Sequence, residues 1–463
     1  MKNPDSPLGR QNEITHPAHA EVSQSLFKDV LEQWQSTPTD LFSLRLDQQD
    51  NLQKQGFPLL TFDHAPANQA EPATITTAGA VPRVEPKSDR VTKLAESREH
   101  PRDHSDAGEA ARPQRMSEAE LIRSLDKKLA NDTAADKFSG VVSIYKDGAP
   151  IYSKAWGMAD RDKQIPAELD TKFRFASMGK MFTAVAVMQL VQDGKIKLSD
   201  TLDKYIPDYP NKDVASNVTI EQLLSHTGGT GTFLPDEFAT KNPQSLKTID
   251  DYIARYGPIS DAPESRGKFQ YSNMGFLLLG KVIEKASGQD YYDYLKEHIY
   301  DKAGMKETGS EPEGTKVDKL SAGYTHHESK DGTWMPSEKW QTYRGMSFGC
   351  SHSTVGDMQR FATALMSGKL LDAEHTQVLT SGKVEVAPVP PGSPPDTKYG
   401  YGFYDERSTD GVHAFGHGGS HFGQASDLKI YPDSGYVVTV LSNLDQPAAI
   451  EVSHYIAERL PPK

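Results

Sequence analysis

Three short motifs in this 463-residue chain carry side chains that can together perform acyl transfer. Ser177-Met178-Gly179-Lys180 offers a hydroxyl and an amine, Tyr271-Ser272-Asn273 a phenol and an amide, and His417-Gly418-Gly419-Ser420 an imidazole beside glycines. A hydroxyl nucleophile needs a base within hydrogen-bonding reach, and an amine one helical turn away meets that need. A lone Ser-x-x-Lys is common by chance, but the three motifs in this order indicate a serine acyl-transfer site.

The residues after Ser177 predict a buried helix that begins at this serine. Apolar side chains from Met181 to Val191 cover most of its faces, and Gly194 is expected to end it. Lys180 then lies one turn from Ser177 on the same face, and the helix dipole favours a developing alkoxide on the serine. The dipole and burial both lower the pKa of Lys180, which prepares it to act as a base. The alternative is a capping serine and a solvent-facing lysine.

Tyr271-Ser272-Asn273 lies at the N-terminus of a second predicted helix, because the apolar run 274–279 follows it and Gly288 is expected to end that helix. A phenol there can relay the proton of the nucleophile if a nearby cation lowers its pKa. The amide of Asn273 can hold Lys180 or a substrate carbonyl. The alternative is a helix cap beside a packed tyrosine.

The third motif lies between predicted antiparallel strands. Its glycines let a substrate backbone approach closely, and the amide of Ser420 is expected to form an oxyanion hole with that of Ser177. His413, His417 and His421 recur every fourth residue. The intervening glycines disfavour the helix that would turn this spacing into a metal-binding face. We therefore expect no metal and no other cofactor, and ordinary polar roles for His413 and His421.

The combination of motifs resembles the serine β-lactamase and penicillin-binding-protein superfamily, above all its class C-like branch with the family VIII carboxylesterases and D-stereospecific peptidases. Leu223-Leu224-Ser225-His226-Thr227-Gly228-Gly229 is similar to the family segment Leu-Leu-x-His-Thr-Ser-Gly and departs from it only at Gly228. Residues 353–361 and Tyr399-Gly400-Tyr401-Gly402 match two further family segments. The resemblance covers residues 117–460 and implies an α/β fold, with an antiparallel sheet flanked by helices and an inserted all-helical region.

The resemblance also implies a role for each motif residue. Ser177 is the acylated nucleophile, Lys180 and Tyr271 form the base system, and Asn273 helps to orient the site. The substrate-binding residues implied are His417, Gly418, Gly419 and Ser420.

His417 stands where many family members carry the lysine of Lys-Thr-Gly. A lysine there would engage a substrate carboxylate, whereas a histidine is mostly neutral at pH 7. This departure favours an esterase over a dedicated β-lactamase.

Three functions follow, in this order of preference. The first is a carboxylesterase acting on short acyl esters, and the second is a D-stereospecific peptidase or weak β-lactamase with the same acyl-enzyme chemistry. The third is a non-catalytic binding module that has kept the fold. The expected partner is a small ester, amide or β-lactam. The Gly-x-Ser-x-Gly elbow is absent around Ser177, which argues against an α/β-hydrolase.

Composition divides the chain into three parts. Residues 1–64 form an N-terminal extension with one amphipathic helix near residues 26–34, and residues 65–116 are polar and predict a disordered linker. The hydrolase domain is expected at residues 117–463, opening with a capping box at Ser117 and Glu120. Its order of helix, early strands, helical middle, late strands and closing helix implies one sheet assembled from both ends.

Charge and composition exclude several classes of protein. The formal net charge is −13 without a basic patch, so we expect no nucleic-acid partner. No segment is apolar enough to span a membrane, and residues 1–20 lack the apolar core of a signal peptide. The visible sequence therefore predicts a cytoplasmic protein, whereas the resemblance admits a periplasmic or secreted one. No pattern specifies an oligomeric state.

Two further features have alternative interpretations. Cys350 is the single cysteine, which excludes an intramolecular disulfide, and a buried structural thiol is the preferred interpretation. The aromatic residues between Lys306 and Phe348 either shape an acyl pocket or pack in the ordinary way, and the sequence favours neither.

Overall fold

The computed structural model describes residues 114–231, 233, 243–261, 263–390 and 392–461. The predicted amphipathic helix near residues 26–34 and nearly all of the predicted linker lie outside these residues. The linker prediction is too long at its C-terminal end, because its last residues pack on the domain. Arg115 pairs with Asp410 at 2.7 Å between Nε and Oδ2, and the Met116 amide donates to the Arg459 carbonyl.

The elements follow the predicted order of a helix, early strands, a helical middle, late strands and a closing helix. The helices are α1 (Glu118–Ala134), α2 (Lys180–Gln192), α3 (Lys212–Asn217), α4 (Ile220–Leu224), α5 (Ile249–Tyr256), α6 (Asn273–Ser287), α7 (Tyr291–Leu295), α8 (Asp301–Ala303), α9 (Val355–Met366), α10 (Ala373–Thr380) and α11 (Ala448–Ala457). The strands are β1 (Gly140–Lys146), β2 (Ala149–Trp156), β3 (Met158–Asp160), β4 (Ile165–Pro166), β5 (Phe173–Arg174), β6 (Tyr324–Thr325), β7 (Met335–Pro336), β8 (His352–Ser353), β9 (Val384–Glu385), β10 (Asp396–Tyr399), β11 (Tyr404–Arg407), β12 (His413–His421), β13 (Gln424–Tyr431) and β14 (Tyr436–Ser442).

One eight-stranded antiparallel sheet organises the domain, in the order β2-β1-β14-β13-β12-β11-β10-β9. The first and last strands of the chain meet near one edge, where β1 pairs with β14 from Gly140 opposite Ser442 to Lys146 opposite Tyr436. The helical residues between β5 and β9 are inserted into this sheet. The predicted fold class, an antiparallel sheet built from both ends of the domain and flanked by helices, is confirmed.

The two faces of the sheet bury different partners, because successive side chains of a strand point to opposite sides. On β1, Val142 and Ile144 face the cluster formed with α1 and α11, whereas Val141 joins the larger core of the helical region. The outer face is closed by Leu125 on α1 and Ile456 on α11, both fully buried. No helix within the described ranges is long and apolar enough to cross a membrane.

Two helices position the predicted chemistry, and both are buried as expected. α2 is buried almost all round, from Lys180 to Leu190, and lies in the larger core. α6 begins at Asn273, where the Ser272 hydroxyl accepts from the Gly275 amide at 3.0 Å, and ends before Gly288, whose φ of 75° closes the helix. The start of α6 is therefore as predicted, whereas α2 begins at Lys180, three residues after the predicted start at Ser177, because a 3-10 turn precedes it.

Replacing Leu125 with alanine tests the packing of α1 on the sheet. Leu125 is 0% exposed, so truncation leaves a cavity that costs about 2–5 kcal/mol of unfolding free energy, measured by urea denaturation. The matched control is Lys127→Ala, two residues away on the exposed face, which changes the stability by about 0.5 kcal/mol or less. Equal effects of the two substitutions would contradict the docking of α1 on this face.

Candidate active site

Ser177 lies in a 3-10 turn, Ala176–Gly179, that joins β5 to α2. The sheet holds this turn from one side. The Gln424 side-chain oxygen accepts from the Ala176 amide at 3.1 Å, and the Ser426 hydroxyl donates to the Phe175 carbonyl at 2.7 Å. Two side chains of β13 therefore anchor the backbone on the N-terminal side of the nucleophile.

Three residues other than glycine adopt left-handed backbone conformations around this turn. Ala176 has a φ of 45°, His226 of 57° and Cys350 of 69°. Each such conformation costs about 1–2 kcal/mol and persists only where the surroundings enforce it. Here the Cys350 amide donates to the Ala176 carbonyl at 3.0 Å, and a Cβ at Gly349 would overlap that carbonyl oxygen. Strain of this kind concentrates at functional sites.

The amine of Lys180 is completely buried at the start of α2. Its Nζ lies 3.1 Å from Ser177 Oγ, 2.7 Å from Asn273 Oδ1 and 2.8 Å from the Phe348 carbonyl oxygen. Burial lowers the pKa of Lys180 to about 7, although the thiol of Cys350 opposes the shift. The predicted direction of this pKa shift is confirmed, and removal of the charged form from water is its main cause.

The three oxygen neighbours of Lys180 Nζ match the two N–H donors and the one lone pair of a neutral amine. The oxygens of Asn273 and Phe348 can only accept, so they take its two N–H bonds. The remaining lone pair then faces the hydroxyl of Ser177. After protonation the third N–H also has an acceptor in Ser177 Oγ, so both charge states are fully hydrogen-bonded.

Tyr271 lies against the same amine. Proton relay by a phenolate requires a lowered pKa, but the pKa of Tyr271 is raised. Its hydroxyl hydrogen-bonds the Ser177 side chain, and Lys180 Nζ lies 4.7 Å from its ring centroid. Burial raises the pKa of Tyr271 well above its usual value, and the bond to Ser177 offsets only part of this effect. The condition set for this relay, a pKa lowered by a nearby cation, is therefore not met, because the effect of burial on the phenol dominates.

His417 is 2% exposed and lies within a ring of aromatic side chains. Its Nε2 is 3.1 Å from the Tyr399 hydroxyl, its Nδ1 is 2.5 Å from the Gly418 carbonyl, and its ring centroid is 5.0 Å from that of Tyr404. Burial, together with Lys180, lowers the pKa of His417 to about 3. The imidazole is therefore neutral at physiological pH.

Gly419 of the third motif allows β12 to pack directly against the turn that carries Ser177. A Cβ at Gly419 would overlap the Phe175 carbonyl oxygen and lie 3.0 Å from the Ser177 amide nitrogen, so a side chain there would displace the nucleophile turn. β11 pairs with β12 only as far as Gly416, which leaves residues 417–421 without a β11 partner. Ser420 is exposed on this free stretch of β12.

Sequence reasoning gave no role to several groups that complete the site. The Phe348 carbonyl is invisible in a sequence, since any residue supplies a carbonyl. His226 and Tyr399 each belong to a segment that resembles the family, but nothing in the two segments indicates that their side chains are in contact. In the structure His226 Nε2 lies 3.2 Å from the Tyr399 hydroxyl.

The remaining predictions concern groups beside the site. Trp340 is buried against His327 and Phe422, which favours packing over a pocket role for this aromatic residue. Cys350 is partly buried as a residue, and burial of its thiol raises the pKa of that thiol to about 11. An uncharged thiol is a poor nucleophile.

The three histidines of β12 have separate partners. His413 Nε2 lies 2.7 Å from Asp405 Oδ1, and His421 Nε2 lies 2.9 Å from the Trp340 carbonyl. Among the residues that the structure describes, no group of three or more histidine, cysteine or acidic side chains is arranged to hold a metal ion.

An antiparallel sheet with an inserted helical region, and a Ser-x-x-Lys motif at the start of a buried helix, define the class of β-lactamase-like serine hydrolases. The family model described as Beta-lactamase matches residues 125–460, and the chain belongs to this family.

Two curated relatives and one solved structure illustrate the range of the family. Penicillin-binding protein 4 of Amycolatopsis lactamdurans is 27% identical over 65% of this chain and 80% of its own length. The teichoic acid D-alanine hydrolase of Staphylococcus aureus is 24% identical over 71% of this chain and 76% of its own length. The crystal structure of a penicillin-binding protein from Bacillus halodurans covers 71% of this chain and 99% of its own, at 29% identity and a TM-score of 0.63.

Substitution of Gly419 by alanine tests the contact between β12 and the nucleophile turn. The new methyl group forces the turn or the strand to move, and we expect a loss of about 1–3 kcal/mol in unfolding free energy by urea denaturation. Gly356→Ala in α9 is the control, because its Cβ would meet nothing closer than 3.5 Å. Stability unchanged in Gly419→Ala would refute the close approach.

Proposed function

We propose that this protein is a serine hydrolase that forms an acyl-enzyme on Ser177 and acts as a carboxylesterase on short acyl esters. The observation that carries the proposal is the buried amine of Lys180, whose Nζ lies 3.1 Å from Ser177 Oγ and whose pKa burial lowers to about 7. A base with a pKa near the working pH combines the correct protonation state with sufficient driving force for proton transfer.

The first half-reaction acylates the serine. Lys180 Nζ accepts the hydroxyl proton as Ser177 Oγ forms a bond to the carbonyl carbon of the substrate. The amides of Ser177 and Ser420 donate to the oxyanion of the tetrahedral intermediate. When the carbonyl reforms, the bond to the leaving oxygen or nitrogen breaks, and the leaving group takes the proton back through the neutral hydroxyl of Tyr271.

The second half-reaction releases the acid. Water attacks the acyl carbonyl, gives a proton to Lys180, and Ser177 leaves with that proton restored. Asn273 and the Phe348 carbonyl hold the amine in place in both steps, because each accepts one of its N–H bonds. Tyr271 acts as a hydrogen-bond donor and proton conductor rather than as the base, since its raised pKa keeps it protonated.

The neutral imidazole of His417 supports the choice of uncharged esters. A lysine ammonium at this position would pair with a carboxylate on the substrate, as penicillins and peptide C-termini require. A histidine with a pKa of about 3 offers no such charge. This favours acyl groups without a carboxylate and argues against a dedicated β-lactamase.

A second candidate is hydrolysis of D-amino-acyl esters or amides. It is favoured by the similarity to a teichoic acid D-alanine hydrolase, which extends over 71% of this chain. The alanine methyl esters and p-nitroanilides of both configurations separate the two candidates. The D-amino-acyl hydrolase would replace the carboxylesterase as the preferred function if two results were obtained together. The D-alanine compounds would be turned over faster than p-nitrophenyl acetate, and the L-alanine compounds would be turned over little.

The pH dependence of acylation tests the role of Lys180. Protonation removes the lone pair, so the burst rate with p-nitrophenyl acetate should be half-maximal near pH 7 and fall about tenfold for each pH unit below it. Lys180→Arg, which is charged at every accessible pH, should lower the rate about 10²–10⁴-fold.

Ser177→Ala is the matched control for this profile, and mass spectrometry of the acylated protein locates the adduct. Ester turnover that survives in Ser177→Ala, or an acylation rate that does not change between pH 5 and pH 8, would contradict the assignment of nucleophile and base.

Substrate charge tests the role of the neutral His417. We expect kcat/KM for p-nitrophenyl acetate to exceed that for p-nitrophenyl hydrogen succinate and for a chromogenic cephalosporin, each of which carries a carboxylate, by about tenfold or more. A series of straight-chain p-nitrophenyl esters then gives the preferred acyl length. Faster turnover of the carboxylate substrates would show that another group supplies the missing charge.

A further inference from the structure

A line of hydrogen bonds runs beneath the site from the turn that carries Tyr271 to the free stretch of β12. The Ser272 amide lies 3.1 Å from His226 Nδ1, and His226 Nε2 lies 3.2 Å from the Tyr399 hydroxyl. The same hydroxyl lies 3.1 Å from His417 Nε2. His417 Nδ1 completes the line at 2.5 Å from the Gly418 carbonyl.

The two ends of this line fix the direction of every bond within it. A backbone amide can only donate, so His226 Nδ1 accepts, and a neutral His226 must carry its proton on Nε2. His226 then donates to the Tyr399 oxygen, and Tyr399 has one proton left for His417 Nε2. His417 must therefore carry its proton on Nδ1.

The carbonyl end gives the same answer independently. A carbonyl oxygen can only accept, so His417 Nδ1 must donate to Gly418, and His417 Nε2 must accept from Tyr399. The two ends therefore agree: His226 carries its proton on Nε2 and His417 carries its proton on Nδ1. Each of the four hydrogen bonds then contains one proton. Protonation of His226 would place an N–H on Nδ1 opposite the N–H of Ser272, and the hydrogen bond between them would be lost.

We infer that Tyr399 is a positioning residue of the acyl-transfer site, whose hydroxyl locks His226 and His417 in opposite neutral tautomers. Through them it ties the Tyr271–Asn273 turn to the strand that flanks Ser177. This inference rests on the proposed function for its effect on catalysis, whereas the tautomers themselves are a property of the folded protein. Tyr399 touches no reacting atom, so its effect on catalysis is indirect.

The surroundings of the line favour its neutral state. Burial lowers the pKa of both histidines and raises that of Tyr399, which keeps the phenol as a donor. Tyr399 itself is fully buried. The titratable groups that face the two imidazoles from neighbouring elements are Lys180 on α2, Tyr271 before α6, Tyr404 on β11 and Lys429 on β13.

The direct test is the protonation of the two rings, read by NMR of the full chain labelled with ¹⁵N-histidine. We expect the proton of His226 on Nε2 and that of His417 on Nδ1, with neither ring titrating between pH 5 and pH 8. Assignment uses His226→Gln and His417→Gln. A proton on His417 Nε2, or a cationic ring at pH 6, would overturn the inference, and this measurement needs no catalytic activity.

Tyr399→Phe tests the positioning role. Loss of the hydroxyl leaves His417 Nε2 without its donor, so the neutral ring loses stabilisation and His417 should titrate at a higher pH than in the wild type. We expect kcat for p-nitrophenyl acetate to fall about tenfold while KM stays within about twofold. Unchanged histidine signals and unchanged kcat in a folded variant would overturn it.

Tyr401→Phe is the matched control. Tyr401 is buried two residues away, and its hydroxyl donates to Glu221 Oε1 at 2.6 Å, outside the line of hydrogen bonds. It should leave both histidine signals and kcat unchanged, and thermal melting of the two variants separates misfolding from a local effect. A wild-type protein that shows the expected tautomers but never acylates Ser177 would refute the proposed function and leave the hydrogen-bonded line intact.

Discussion

The burial of one amine sets the constraint on which the site depends. Lys180 has no exposed surface, and a charged ammonium in that position loses its hydration, so the pKa of the amine falls to about 7. Burial alone would leave a lysine without hydrogen bonds. Three oxygens, from Ser177, Asn273 and Phe348, bring together the starts of α2 and α6 and the segment before β8 around a single nitrogen.

The same convergence explains the strained backbone and the glycines around the nucleophile. Ser177 can reach Lys180 and the sheet together only because Ala176 and Cys350 adopt left-handed conformations and Gly349 and Gly419 carry no side chains. The sheet supplies the stiffness that holds this arrangement, since Gln424 and Ser426 bond the turn from β13. Strain at the nucleophile is thus balanced by hydrogen bonds from a large antiparallel sheet.

Predictions from the sequence were accurate where local patterns control structure. The burial of α2 follows from its apolar run, the start of α6 from its capping serine, and the sheet assembled from both ends from the order of elements. The condition set for relay by Tyr271, a lowered pKa, is not met because a pKa depends on the summed surroundings of a group, and burial here raises it. At Gly419 the structure also shows a close approach that the sequence did not indicate, to the protein's own backbone.

The sequence by itself determined which chemical groups are present, their order along the chain, and which of them begin helices. Only the tertiary structure decided how those groups titrate and which partners they have. Lys180 and Asn273 are far apart in sequence, and the Phe348 carbonyl carries no sequence signal at all. His226 is likewise 173 residues from Tyr399, which is 18 residues from His417, and the tautomers of both histidines follow from contacts that exist only after folding. Protonation depends on distance and burial in three dimensions, and no local pattern encodes either.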